Sequence, residues 1–333
     1  MGFIRRTAWK ALRNPGLATK YLLAKRKRYT MAGRLALFSR FPVGQHIYDR
    51  PWDALIILDT CRVDALREVA PEFGFYDADD VKSIVSLGSE TPEWLVQTFT
   101  PDWRDEIAST AYITGNAWTH AVLSEGQTPE DYHGISFAPT RWNPVRDDDF
   151  RQVVHAWQKQ SSKPYELEGI AAPHPDPEIV TDHAIEMART RDPERLIVHY
   201  KQPHAPYDSN AIAENRADLE RFERRPFAFL KDGGDRATVW NAYLDDLRFV
   251  LAEVQELLRN IDAPRTIITA DHGEAFGEYY GYAHRSGMLN PYVKRVPWVE
   301  TSAQDDALRD PELDKYSISD RDVTAHLKAL GYA

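Results

Sequence analysis

The chain has 333 residues, 43% of them hydrophobic and 28% charged, with nine Trp and sixteen Tyr; this excludes a disordered or fibrous protein and leaves room for one large α/β domain. One cysteine, Cys61, excludes an internal disulfide and any multi-cysteine zinc site, so a reducing compartment and a cytoplasmic location are expected. The net charge of −10 is unevenly distributed, because the first 41 residues hold eleven Lys or Arg and no acid, which leaves the remainder strongly acidic.

That basic arm reads "MGFIRRTAWKALRNPGLATKYLLAKRKRYTMAGRLALF" and breaks at Asn14-Pro15-Gly16. Both sides have the spacing of short amphipathic helices: Ile4, Ala8 and Leu12 share a face that Arg5, Lys10 and Arg13 avoid, and Lys25 to Arg28 form a basic cluster. No apolar run approaches the roughly 18 residues a membrane span needs, and no apolar core or small-residue cleavage site follows Arg5-Arg6. Basic residues interleaved with Trp9, Tyr21, Leu22, Leu23 and Phe38 suit a helix lying in a membrane interface, where each is worth roughly 1 kcal/mol near anionic lipid. Residues 1–41 are therefore expected to dock on an anionic membrane surface, peripherally at the inner face. Packing on the acidic body or on a second subunit is the alternative. Nucleic acid is disfavoured, since no DNA- or RNA-binding motif accompanies the charge. The arm is taken as residues 1–45 and the folded domain as 46–333.

Farther along, "WDALIILDTCRVDAL" has an apolar run from Ala54 to Leu58 that stops at Asp59. "ERLIVHYKQPHAPYD" runs through Leu196, Ile197 and Val198 into His199, Lys201 and His204, and "RTIITADHGE" runs through Ile267 and Ile268 into Asp271 and His272. Uninterrupted apolar runs of this length are buried strands. Between them "DPEIVTDHAIEMARTR" and "WNAYLDDLRFVLAEVQELLRNI" read as helices, the second with Leu244, Leu247, Val250, Leu251, Val254 and Leu258 at helical spacing. Strands alternating with helices predict an α/β fold with a mainly parallel central sheet and helices on both faces. Ligands bind beyond the carboxyl ends of such strands, where these polar clusters fall, and carboxylate with imidazole suits Zn or Mn.

In "GSETPEW", Ser89 or Thr91 reads as a helix cap ahead of Pro92, and a hydroxyl there also meets the N-terminal amides that an anion favours. Cys61 reads as a small residue at a strand end. No Gly-rich phosphate loop and no GxSxG elbow is present. Residues 208–236 read as a charged surface insertion, and "ISDRDVTAHLKALGYA" as a closing helix with Val323, Leu327 and Leu330 on one side and Gly331 as its stop. Glu278 is expected to face solvent.

Taken together, "ILDTCRVD" (57–64), "GSETPEW" (88–94), "YKQPHAPY" (200–207), "TADHGEAFGE" (269–278), "YAHRSG" (282–287) and "RVPWV" (295–299) form an ordered set that resembles the alkaline phosphatase superfamily, in its sulfatase-like branch. The resemblance implies a divalent metal (Zn, Mn or Ca) held by Asp59, Asp271, His272 and the nucleophilic hydroxyl, placed at Thr91 with Ser89 as the alternative. It also implies that His204 and His284 face the transferred group or complete a second metal site, with one site the firmer expectation because Gln202 stands where relatives carry an acid. Arg62, Lys201 and His204 would neutralise substrate oxygens, and His204 or His284 would protonate the leaving alcohol. The formylglycine signature Cys/Ser-x-Pro-x-Arg is missing and a Thr takes the nucleophile's place, which favours phosphate over sulfate esters. The expected activity is hydrolysis or transfer through a covalent Thr intermediate, on a membrane- or glycan-linked substrate. The alternative is a lapsed member serving as a membrane-surface binding module. His120, His133, His155, His174 and His183 lie outside the matched segments and receive no role.

Overall fold

The computed structural model describes residues 15–160, 176–318 and 323. Its strands are, in chain order, β1 (Ala54–Leu58), β2 (Lys82–Val85), β3 (Thr110–Thr114), β4 (Gln152–His155), β5 (Lys159–Gln160), β6 (Arg195–Tyr200), β7 (Ala263–Thr269), β8 (Arg295–Ala303) and β9 (Ser317–Ile318). Every residue of β1 is fully buried, because the strand lies between β6 and β7 and is covered on both faces; this is why its sequence does not alternate. The sheet order is β2-β8-β7-β1-β6-β3-β4, and the five strands from β7 to β4 run parallel. The expected mainly parallel sheet is present, with an edge that sequence reading did not foresee: β8, which begins with "RVPWV", runs antiparallel to β7, and β2 antiparallel to β8. β5 and β9 pair as a separate ribbon.

The helices that matter here are α1 (Pro15–Phe38), α2 (Val63–Val69), α3 (Thr91–Thr98), α4 (Pro177–Arg191) and α5 (Arg236–Leu258). Asp176 caps α4 by accepting from Glu178 N, and α5 buries the stripe Leu244, Leu247, Val250, Leu251, Val254 and Leu258. Each such side chain contributes roughly 1.5–3 kcal/mol on burial, which fixes the helix against the sheet layer far more firmly than helix propensity would.

The arm is one 24-residue helix from Pro15, with proline in its first turn; residues 1–14, and with them the expected first amphipathic segment, lie outside the described residues. Its second half is a structural extension. Ala32 and Leu35 pack on Ile135 and Ala138, Arg34 Nη1 donates to Gly287 O at 3.2 Å, and Arg28 donates to Gly134 O. Residues 21–27 ahead of that half are exposed, Leu22 at 64%, and Tyr29 is 56% exposed with its ring 5.2 Å from that of Phe137. Among the described residues no helix is long and apolar enough to cross a membrane. The 208–236 segment is folded, with short helices at Ser209–Ala213, Arg221–Arg224 and Pro226–Lys231 and a buried Glu223 paired to Arg216 at 2.6 Å. Of the expected closing helix two residues fall among the described ones: Ile318, which ends β9 instead, and Val323, which is buried.

Candidate active site

Beyond the carboxyl end of β1 the chain turns sharply at Thr60, a β-branched residue held at φ 67°. Such a conformation costs on the order of 1–3 kcal/mol and persists only where the surroundings enforce it. Here Tyr243 on α5 does so, donating its hydroxyl to Thr60 O at 2.9 Å while accepting from Arg62 N at 3.0 Å. The turn leaves Asp59 fully buried, with Oδ2 receiving Lys201 Nζ at 2.7 Å and Asn116 Nδ2 at 2.8 Å. Its other oxygen, Oδ1, has no hydrogen-bond partner.

At the end of β7 the neighbouring carboxylate is divided in the same way. Asp271 Oδ1 accepts from His272 N at 2.8 Å and from Thr60 N at 3.4 Å, while Oδ2 is buried without a partner. His272 Nδ1 lies 3.0 Å from Gly273 O, which fixes the proton on that nitrogen and presents Nε2 as a lone pair. Gly273 is required by packing: a Cβ there would stand 2.2 Å from Tyr292 O, because the 290–293 backbone crosses this turn and Val293 O accepts from Gly273 N at 2.7 Å.

The third element is α3. Gly88 lets the approaching chain pass within touching distance of Trp94, since a Cβ would meet Trp94 N at 2.4 Å. Glu93 reaches back to Ser89 N at 2.9 Å and Ser89 Oγ at 2.6 Å, and Thr91 opens the helix one residue after its cap at Glu90, so the cap falls one position away from the expected one. Ser89 is spoken for by these bonds and by Arg285 O at 2.9 Å, whereas Thr91 Oγ1 stands 3.4 Å from His272 Nε2 and 3.3 Å from Asn116 Nδ2. Thr91 is fully buried at a helix N-terminus, where amides without intrahelical partners favour an anion.

These pieces meet at one point. Asp59, Asp271 and His272 offer ligand atoms that lie within 4.8 Å of one another, with His272 Nε2 at 3.7 Å from Asp59 Oδ1 and 3.4 Å from Asp271 Oδ2. Two buried carboxylate oxygens without a hydrogen-bond partner crowd an imidazole nitrogen whose one neighbouring hydroxyl is that of Thr91 at 3.4 Å. A divalent cation resolves this. Bonds of about 2.1 Å in a tetrahedral shell set neighbouring ligand atoms about 3.4 Å apart, close to the 3.4, 3.7 and 3.4 Å from His272 Nε2 to Asp271 Oδ2, Asp59 Oδ1 and Thr91 Oγ1. The residues expected to hold a metal thus fit one, and imidazole among them favours a transition metal over Ca.

His284 stands just outside that cluster. Its Nδ1 is 3.0 Å from Glu274 Oε2, its ring centroid is 4.3 Å from that of His272, and His204 follows at 5.1 Å with its Nδ1 2.5 Å from Ala205 O. Burial alone would lower the proton affinity of His284, but the charge and hydrogen bond of Glu274, with Glu90 and Asp59 behind, raise its pKa to about 8. His199 is likewise buried, bonded at Nδ1 to Tyr112 OH at 2.8 Å, and burial pushes its pKa down to about 3 despite the charge of Asp59.

Two residues expected at the substrate are engaged elsewhere. Lys201 is buried against Asp59, and Arg62 directs its guanidinium to Asp64, to Glu278 Oε1 at 2.8 Å and to Glu274 O at 3.1 Å, flanked by the Trp240 and Tyr292 rings. Glu278 therefore does not face solvent as expected: it bridges Arg62 and Arg236. Cys61 is buried, and burial raises its thiol pKa. Asn116, which ties Asp59 to Thr91, escaped sequence reading, although "TAYITGN" is one more buried strand ending in a polar residue. Glu90 was missed as well. It accepts from Ser286 N and Oγ at 2.7 Å each and sits 2.9 Å from His133 Nε2.

The fold and site define an α/β protein with a buried carboxylate-imidazole cluster that suits a divalent metal, beside a threonine in the first turn of a helix. No family model and no curated relative matches the chain. Among solved structures it is similar in fold to the integral membrane protein lipooligosaccharide phosphoethanolamine transferase A from Neisseria meningitidis, with 13% identity over 90% of this chain and 59% of that one and a TM-score of 0.47. It is also similar to the C-terminal periplasmic domain of phosphoethanolamine transferase EptC from Campylobacter jejuni (16% identity, 75% and 78% of the two chains, TM-score 0.40). A third is the C-terminal periplasmic domain of EcEptC from Escherichia coli in complex with Zn (14% identity, 87% and 85%, TM-score 0.45). The chain spans 59% of the length of the first. The cytoplasmic location expected from the sequence is corrected by these structures, two of which are described as periplasmic domains. One cysteine cannot form an internal disulfide in either compartment, so its count never discriminated between them.

Proposed function

We propose that this chain is a divalent-metal-dependent enzyme that transfers or hydrolyses phosphate esters, with sulfate esters the less favoured substrate, through a covalent ester of Thr91. The observation that carries this reading is the pair of partnerless buried oxygens, Asp59 Oδ1 and Asp271 Oδ2, facing His272 Nε2 with Thr91 Oγ1 alongside. Asp59, Asp271, His272 and Thr91 would hold the cation, which supplies the positive charge that lowers the pKa of the Thr91 hydroxyl and offsets charge on the transferred group. Thr91 Oγ1 then forms the bond to phosphorus as the bond to the leaving oxygen breaks. His284, kept protonated by Glu274, gives the leaving oxygen its proton, and the ester on Thr91 is later cleaved by water or by a second alcohol. Asn116 steadies both Asp59 and Thr91, and the first-turn amides of α3 face the developing charge.

The substrate is read as anionic and presented at a surface. Burial lowers the proton affinity of Lys231, and the charges of Arg285 and Lys27 lower it further, so the 208–236 segment, the His284 loop and the exposed stretch of α1 each bring a cation to one region. That stretch exposes Leu22, Leu23 and Tyr29 among Lys25 to Arg28, the composition of an interfacial helix. Metal-reloaded protein is expected to turn over aryl phosphate mono- or diesters, and Thr91→Ala and Asp271→Asn to abolish it; turnover surviving both changes would reject the reading. Leu22→Glu with Leu23→Glu should lower binding to anionic vesicles at least tenfold, and unchanged binding would remove the membrane from the account.

A further inference from the structure

The edge of the sheet carries a second group of metal-competent side chains that the reaction above does not use. His155 ends β4, Asp147 opens the short helical turn Asp147–Asp149, and His120 begins the π-helical segment His120–Ser124; the ligand atoms of the three lie within 4.8 Å of one another. Asp147 Oδ2 is 3.1 Å from His155 Nε2, the two imidazole rings meet edge to face at 4.9 Å, and Glu125 Oε1 stands 3.7 Å from His120 Nε2 at the rim. Asp147 Oδ1, His120 Nδ1 and His155 Nδ1 are buried atoms with no hydrogen-bond partner. Three such atoms in one cluster are a cost unless something binds there.

A nucleophilic triad does not account for the cluster. Ser124 Oγ lies 3.5 Å from His155 Nε2 but also donates to Asp147 Oδ2, the same carboxylate oxygen that approaches that nitrogen. Serine and aspartate thus crowd one side of the imidazole, whereas a relay needs them on its two different nitrogens. Two imidazoles and a carboxylate instead suit a first-row divalent cation and select against Mg and Ca. Beyond the π-helical turn the segment up to residue 147 has one short helix, Pro129–Tyr132, and its middle is fixed by Ile135 and Ala138 on α1 and by His133 against Glu90, whereas the cluster joins its two ends. π-helical turns, here closed by Glu125 N to His120 O at 3.0 Å, concentrate at functional sites.

We infer that His120, Asp147 and His155 form a structural site for a zinc-like divalent cation, which clamps the edge strand β4 to the loop that leaves β3 and carries Asn116. The test uses the full-length chain, stripped with chelator, reloaded with zinc, desalted and analysed for bound metal. Asp59→Asn with Asp271→Asn should still retain one equivalent, and further addition of His120→Ala and His155→Ala should remove it. Should the combined variant fail to fold, the Asp59→Asn, Asp271→Asn protein alone decides, because zinc but not magnesium should raise its unfolding temperature. Retention of zinc after loss of His120 and His155, or an Asp59→Asn, Asp271→Asn protein that binds no zinc and gains no stability from it, would overturn the inference. Because the Asp59 and Asp271 site is disabled throughout, failure here leaves the reading of that site untouched.

Discussion

Replacing Glu90 by Gln keeps the shape of the residue before Thr91 and removes only its charge. Burial alone would raise the pKa of this carboxyl, yet the hydrogen bond and charge of His133, the charge of His284 and the hydrogen bond of Ser286 hold it at about 2, against 4.5 for an unperturbed Glu. At about 1.4 kcal/mol per tenfold change in proton affinity, the difference corresponds to roughly 3 kcal/mol of stability. The folded-state pKa is the lower one, so the contribution is fully present above about pH 4.5 and is lost as the pH falls toward 2, with about half remaining near pH 3. Urea unfolding of wild type and Glu90→Gln should therefore differ by roughly 3 kcal/mol at pH 7 and by about half that at pH 3. A gap of equal size at both pH values would show that the charge is not what matters, and no gap at pH 7 would refute the reasoning outright.

Arg62→Ala should destabilise the fold by about 2–3 kcal/mol, because it opens the space between Trp240 and Tyr292 and leaves Glu278 with Arg236 alone, while KM for an aryl phosphate changes less than about threefold; a KM rise above tenfold with unchanged stability would restore Arg62 to the substrate. Asn116→Ala should lower zinc affinity or turnover by about 10–100-fold without a matching fall in unfolding temperature, as removal of an outer partner of a metal ligand does. Equal losses of stability and activity would reduce Asn116 to a packing role.

Much of this architecture was readable because parallel strands buried on both faces leave apolar stretches that do not alternate, uninterrupted in β1 and shorter in β6 (Leu196 to Val198) and β7 (Ile267 and Ile268). Their carboxyl ends carry Asp59, Asp271 and His272, whose side chains the structure brings together, and the capping signal fell within one residue of the cap at Glu90. β3 dilutes the same signal with Thr and Tyr, and Asn116 was lost with it. The engagement of Arg62 was not legible for a different reason: its partner Glu278 lies 216 positions away, and no local pattern reports a pairing of that range. The same holds for Glu90, whose bonds to Ser286 join segments 196 positions apart, and for His120 and His155, which sit where no periodicity marks the chain. The antiparallel edge at β8 was also hidden, since an apolar run shows burial but not direction.

The central claim is that Thr91 takes up the transferred group at a centre formed by Asp59, Asp271 and His272. Mixing zinc-loaded protein with a poorly hydrolysed aryl phosphate, quenching in acid and sequencing the peptides by mass spectrometry should show one phosphorylated residue, Thr91, formed in wild type and absent after chelation or in Asp271→Asn. Turnover without any adduct at Thr91, or an adduct that forms equally well in chelated protein, would contradict it.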